Sequence, residues 1–201
     1  MLISTSDLRA WLSLADGDKE SNPKFLTLLQ SVQDFVEVYT HRQLEATYYN
    51  GHQDYSIYDG TGRNYIYTKA YPISWISAVY VDADRAWSSG SLIASADLVV
   101  YWEQGKIYSE AGYFSKGHRN VRIDYIAGFG PSTTSTYPVP LDLKQVMIEM
   151  AVQSFKEGIT GVHSVVGIEE TKMVQMLSGN TIWRNTLNAY KNYSIGCDPN
   201  A

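Results

Sequence analysis

Apolar residues recur at helical spacing near both ends of this chain and at strand spacing through its middle. Near the start, Leu8, Trp11 and Leu12 fall at i, i+3 and i+4 and predict a first helix over Asp7 to Leu14. Ser6 or Thr5 can cap it, and Asp7 suits the positive end of its dipole. A polar linker, Ala15 to Ser21, follows. Asn22 then stands as a cap and Pro23 at a first helical position. Phe25, Leu28, Leu29, Val32, Phe35, Val36 and Tyr39 predict a long second helix to about Thr40. A stripe of that kind reads as a core face and not as a cofactor site.

From about Leu44 to Gly130, β-branched and aromatic residues dominate, broken by Gly, Asn, Asp and Pro. Asn64 to Thr68 reads as a strand, with Tyr65 and Tyr67 on one face and Ile66 on the other. Ser74 to Asp82 reads as another. Leu98 to Trp102 and Lys106 to Tyr108 form a predicted hairpin around Glu103-Gln104-Gly105. In Asn120 to Ala127, Val121, Ile123 and Tyr125 alternate with Arg122, Asp124 and Ile126. The connections are too short for helical crossovers, so the pairing is expected to be mostly antiparallel.

Gly128 to Tyr137 is a linker rich in Gly, Pro, Ser and Thr. A third helix is predicted from Leu141 to Glu157, with Leu143, Met147, Met150, Ala151 and Phe155 on one face and Gly158 at its end. Gly158 to Gly179 has no clear period and reads as a long loop. A fourth helix is expected from Thr181 to Tyr193, capped by Asn180, with Trp183, Leu187 and Tyr190 on one side. Ser194 to Ala201 reads as a tail. Two long helices flanking a β excursion must pair to bury their stripes. The expected fold class is α+β: a small helical bundle (1–43 plus 138–201) with an inserted, mostly antiparallel β subdomain (44–137) and an extended C-terminal segment.

Composition changes this picture in three ways. The 201 residues include 16 Tyr and 5 Trp, side chains that fill strands but also dominate interfaces. The single cysteine, Cys197, leaves no internal disulfide, which fits a reducing compartment. The net charge of -5 argues against a chain that grips phosphates. No signal peptide is visible at the start, no apolar run approaches about 18 residues, and no membrane partner is expected.

Chemistry finds little support. No G-x-S-x-G elbow occurs. His163-Ser164 are adjacent in sequence, which does not make a triad, and Cys197 sits in the tail. The four histidines, His41, His52, His118 and His163, form no metal-binding pair. Asp82-Ala83-Asp84 begins like a calcium loop but continues with Ala86, Trp87 and Ile93 where ligands and glycine are needed, so a polar turn is the simpler reading. Tyr58-Asp59-Gly60-Thr61-Gly62-Arg63 lacks the Gly-Lys-Ser/Thr ending of a phosphate loop and reads as a tight turn. Glu169-Glu170 is a carboxylate pair in the expected loop. No catalytic residue, cofactor or metal site is expected.

Six segments, in order, resemble the gp6-like head–tail connector (adaptor) proteins of tailed bacteriophages. They are Asp7-Leu8-Arg9-Ala10-Trp11-Leu12, Tyr39-Thr40-His41-Arg42, Tyr58-Asp59-Gly60-Thr61-Gly62, Tyr71-Pro72-Ile73 with Val79-Tyr80-Val81-Asp82, Asn120 through Gly128, and Val139-Pro140-Leu141-Asp142-Leu143-Lys144-Gln145. The resemblance fades after about Glu157, and Asp82-Ala83-Asp84 stands where the family often has a tight Asp-Gly turn. It implies a homo-oligomeric ring, commonly of twelve subunits, below the portal in the virion neck, assembled in the host cytoplasm. Such a ring extends the DNA channel and docks the next neck or tail component. Genome DNA would pass without sequence-specific binding, past a wall that an acidic balance keeps from sticking to it.

The C-terminal part, roughly Gly179 to Ala201, is expected to face the portal, through Trp183, Leu187, Tyr190 and Tyr193. The β part, Tyr48 to Gly130, is expected to make subunit or neck contacts, through Tyr58, Trp87, Trp102 and Tyr113. An alternative reading is an aromatic-rich carbohydrate- or ligand-binding module using platforms such as Trp87 and Trp102. An enzyme would require a pocket gathering His118 with carboxylates.

Overall fold

A computed structural model describes residues 1–14, 22–51, 54–130, 136–157 and 168–191, without the side chains of 22 and 168–172. The chain divides into two compact units: Met1–Arg42 with Val139–Ala201, and Gln43–Pro138.

The first unit is helical. Helix α1 spans Thr5–Leu12. Its cap is Ser4, not Ser6 or Thr5. The Asp7 amide donates to Ser4 Oγ at 3.2 Å, and the Ser4 amide donates back to Asp7 Oδ2 at 3.1 Å. This reciprocal box satisfies two donors that a helix start leaves open. The apolar phase also differs from the expected Leu8, Trp11, Leu12 face. Leu8 is fully buried, but Trp11 is 51% exposed, and Arg9 turns inward instead. The Arg9 guanidinium lies 5.8 Å from the Phe25 ring centroid, so its stem packs inward and its cation rests on the aromatic ring.

Helix α2, Asn22–Thr40, buries Phe25, Leu28, Leu29, Val32, Phe35 and Val36 as the spacing predicts. The expected Asn22 cap rests on a side chain outside the described ones. The helix ends on His41 in the left-handed region, φ 53, with the Arg42 amide donating to Glu37 O at 3.0 Å. Helix α3, Leu141–Lys156, packs against α1 and α2 and buries Leu143, Met147, Met150 and Ala151. Phe155 meets Phe25 edge-on at 5.5 Å.

The expected loop from Gly158 to Gly179 is corrected in its second half: Ile168–Gly179 is a helix, α4. Met173 and Leu177, one turn apart, are buried, while Val174 between them is exposed. That thin stripe gives a helix too little periodicity to stand out from a loop. Residues 158–167 lie outside the described residues. Helix α5 spans Thr181–Ala189, shorter than expected, with Asn180 Oδ1 accepting from the Ile182 and Trp183 amides. The expected tail and extended C-terminal segment fall beyond residue 191, outside the described residues.

The second unit holds two antiparallel sheets. Strand β7 (Gly117–Ala127) is the axis of the first. Strands β1 (Thr47–Tyr49) and β2 (Ile57–Gly60) pair with its C-terminal and N-terminal halves, and β4 (Ile73–Val81) runs along the opposite edge. The second sheet has the order β3 (Tyr65–Tyr67), β6 (Lys106–Ser109), β5 (Leu98–Tyr101). Trp102–Gln104 forms a single turn between β5 and β6. One core serves both sheets: Tyr49, Tyr58, Ile66, Ile73, Val79, Ile107, Phe114, Val121, Ile123 and Tyr125 are buried together.

The tight turn expected over Tyr58 to Gly62 begins later. Tyr58 to Gly60 end strand β2, with a register shift between Tyr58 and Gly60. A Cβ at Gly60 would stand 1.9 Å from the Ser115 carbonyl oxygen, so only glycine lets the two backbones approach. Asp82 forms the expected polar turn: Oδ1 accepts from the Asp84 amide at 3.0 Å and Oδ2 from the Trp87 amide at 2.9 Å. Burial works against the charge of this carboxylate, but those bonds hold its pKa below the usual value.

Candidate assembly surfaces

Tyrosine plays two roles in the β unit. One group is internal. The Tyr58 and Tyr125 hydroxyls lie 2.8 Å apart. Both also reach the Tyr55 carbonyl, at 2.6 and 3.0 Å. The Lys69 amide donates to the Tyr58 hydroxyl at 3.1 Å. Burial pushes both phenols well above the ordinary tyrosine range. Tyr49 stacks against Tyr55 and tilts onto Tyr125. Tyr58, expected as a contact residue, is therefore a core side chain whose polar tip is satisfied inside the subunit.

The second group faces outward. Antiparallel register places Tyr65, Tyr108 and Val99 in one cross-strand row of β3–β6–β5, and Tyr67, Lys106 and Tyr101 in another. Between them Ile66, Ile107 and Val100 point to the core side. Tyr67, Tyr101 and Val99 are exposed. Lys106 Nζ sits 4.6 Å from the Tyr65 ring centroid, 5.4 Å from Tyr101 and 5.9 Å from Tyr67. Arg63 lies 5.7 Å over Tyr65 and donates to its hydroxyl at 2.9 Å. Asn64 Nδ2 donates to the Tyr108 hydroxyl at 2.8 Å.

The first sheet has its own aromatic row, Tyr48–Ile126–Trp75, with the Tyr48 and Trp75 rings 6.4 Å apart and both exposed. Farther along, Arg122 lies 5.2 Å over Tyr80 and donates to both oxygens of Asp124 at 2.9 and 2.6 Å. Those bonds raise the Arg122 pKa further. Trp87 meets Tyr80 edge-on and is half-buried. Trp102 lines a groove of about 280 Å³ with Ile76, Leu92, Ile93, Leu98 and Val100. The two tryptophans thus lie in different settings. Tyr113 is 73% exposed, one residue before Phe114, whose amide donates to Arg63 O.

In the helical unit, the residues expected to meet a portal divide. Trp183 and Leu187 are buried, and Trp183 Nε1 donates to Glu149 Oε2 at 2.6 Å. Tyr190 is half-buried and donates to Asp142 Oδ1 at 2.7 Å. Burial first, then that bond, raises the Tyr190 pKa. Tyr193 lies outside the described residues. The exposed apolar side chain of α5 is Ile182, and that of the α3 start is Leu141, at 74% and 83% exposure.

Two of the segments weighed for chemistry are held by bonds within the protein. In the Tyr58 to Arg63 segment, the amides that could cradle a phosphate are donated within the protein: Gly60 to Asn120 Oδ1, Gly62 to Phe114 O, and Arg63 to Thr61 Oγ1. His118 meets Asp59 at 3.1 Å on the surface, both side chains mostly exposed. Asp59 has a lowered pKa, chiefly because the Arg119 amide donates to it and then because of His118. Among the described residues, no group of three or more His, Cys, Asp or Glu could hold a metal ion. Among them, too, no helix is long and apolar enough to cross a membrane. His163-Ser164, Cys197 and the Glu169-Glu170 side chains lie outside what is described.

No family model matches the sequence, and no curated protein matches it. Solved structures do. A chain in the neck of an empty GTA particle, computed with C6 symmetry, is similar with 18% identity and a TM-score of 0.55, over 87% of this chain and 88% of that one. A chain from the virion of a native gene transfer agent (GTA) particle matches with 17% identity and a TM-score of 0.49, over 87% and 88%. A chain in the neck of a native GTA particle, computed with C12 symmetry, matches with 17% identity and a TM-score of 0.47, over 77% of each chain. The first likeness gives this chain the fold of a neck component along most of its length.

Proposed function

We propose that this chain is a structural head–tail connector of a tailed-phage-like particle. In this reading it forms a ring below the portal, extends the DNA channel and docks the next neck or tail component. The observation that carries the reading is the fold shared over 87% of the chain with a component of a particle neck. The six ordered sequence segments that resemble head–tail adaptors point the same way.

The geometry supports a role in assembly. In the Tyr58 to Arg63 segment, the Gly60 and Gly62 amides donate to Asn120 Oδ1 and the Phe114 carbonyl, and the Asp59 carboxylate accepts from the Arg119 amide. Exposed aromatic rows, by contrast, offer large contact area at little cost in side-chain freedom. A closed ring needs two different complementary surfaces on each subunit. The symmetry of the neck structure it resembles fits a ring, and twelve subunits is the number the adaptor resemblance implies. The portal side is assigned to α5 and the segment after it. Trp183 and Leu187 serve there by fixing α5 on α3, while Ile182, Tyr190 and Tyr193 are the side chains offered to the portal.

Mixing the full chain with the portal ring of the same particle tests the reading. Comigration on a density gradient is the expected result. A chain that stays at the top of the gradient with portal, and with every other neck component, would sink it.

A further inference from the structure

We infer that the tyrosine face of β3–β6–β5 is one half of the contact between neighbouring copies of this chain, and that it takes a carboxylate-bearing surface of the adjacent copy. The inference rests on the ring proposed above and names the side chains that close it.

The face is built for contact and is uncovered within the β unit. Its two rows hold four tyrosines, a valine and a lysine, while the row between them supplies the core. The charge it carries is positive, from Lys106 and the adjoining Arg63. Neither cation forms an ion pair with a carboxylate of the described residues; each rests on tyrosine rings instead. The chain as a whole has a net charge of -5, with 21 acidic and 16 basic side chains. A second copy therefore brings an excess of carboxylates to a surface that is locally cationic, and complementarity of that kind sets register and encounter rate.

The chemistry of the occupant follows from how the rings are used. Three ring faces are already turned to the Lys106 ammonium. Bases stacking on those rings would have to displace it, which disfavours single-stranded nucleic acid. What remains on offer is donors: the ammonium hydrogens, the Arg63 guanidinium and the outward tyrosine hydroxyls. Carboxylates match that set. Because the lysine is already held among rings, less side-chain freedom is lost when it binds.

Sedimentation velocity of the full chain, from micromolar to hundreds of micromolar and at low and high salt, is the test. Wild type is expected to self-associate, and salt to weaken the association. Lys106→Glu is expected to weaken it on the order of tenfold or more, and Tyr101→Ala also to weaken it. Lys106→Arg, which keeps the charge, is expected to associate like wild type. Circular dichroism and Tm, unchanged in all three, exclude a folding defect. Rings that form equally well with Lys106→Glu would overturn this face while leaving the ring intact. Association through this face into pairs that never close would keep the face and remove the ring. A wild-type chain monomeric throughout would overturn the inference. Saturable binding of a thymidine oligonucleotide, lost in Lys106→Glu, would give the face to nucleic acid and overturn it as well.

Discussion

Removing the hydroxyls of Tyr58 and Tyr125 one at a time, and then together, probes the centre of the β unit. In Tyr125→Phe, the Tyr58 hydroxyl keeps the Tyr55 carbonyl at 2.6 Å and the Lys69 amide at 3.1 Å. The 2.8 Å hydroxyl pair, the Tyr125 bond to the Tyr55 carbonyl at 3.0 Å and the longer Ala70 contact at 3.4 Å are lost. A net hydrogen bond is worth about 1 kcal/mol, and an orphaned buried group costs about 1–3 kcal/mol. Tyr125→Phe should therefore cost about 1–2 kcal/mol. Tyr58→Phe removes the acceptor of the Lys69 amide as well, and should cost about 2 kcal/mol. The double variant should cost about 1 kcal/mol less than the sum, because both singles break the same shared bond. Native-state amide exchange at the β7 residues reads the opening free energy of this unit by itself. Strict additivity would show that the two phenols do not share a bond and would refute the network.

Other outcomes follow from the same geometry. Both buried phenols have raised pKa values, so the unfolded chain releases their protons first as pH climbs above about 10. Their stabilisation is complete below that pH and is lost above it, by up to about 1.4 kcal/mol per pH unit for each phenol; alkaline unfolding of Tyr125→Phe should show a correspondingly shallower slope. Asp7 is opposed by burial, but the Lys144 ammonium at 2.8 Å and the Ser4 bonds lower its pKa on balance. Its contribution is present above the ordinary carboxylate pKa and disappears as pH falls through the lowered one. Asp7→Asn should cost about 1 kcal/mol at neutral pH and nothing in strong acid, read by urea unfolding. Gly128→Ala should destabilise by about 2 kcal/mol or more, because φ is +114 and its Cβ would stand 2.7 Å from the Glu45 backbone; a neutral result in thermal unfolding would contradict that close backbone approach. His41→Gly should stabilise by up to about 1 kcal/mol, since a left-handed residue ends α2 there.

The long helices and the central strand were legible because their apolar residues follow one period. The α2 stripe is buried as spaced, and Val121, Ile123 and Tyr125 of β7 are buried as the alternation requires, with Asp124 between them buried as well. Strands β1 and β2, with three and four residues, are too short to show a period. The Asp59-Gly60 pair looked like a turn because glycine there serves a close backbone approach rather than a positive φ. In α1, pattern matching favoured Trp11, but the stem of Arg9 fills the inward position. At the surfaces, tyrosine abundance signalled contact without saying which tyrosines. Alternation put Tyr65 and Tyr67 opposite Ile66. The partnership with Tyr101 and Lys106 depends on register between strands far apart in sequence. Tyr58 and Trp183 looked like contact residues, yet each finds its polar partner inside its own unit.

Electron microscopy of the chain assembled with the portal of its own particle tests the central claim most directly. The expected result is a closed ring of this chain, coaxial with the portal and lined along a channel wide enough for duplex DNA. Portal rings that remain bare in the presence of excess chain would contradict the account.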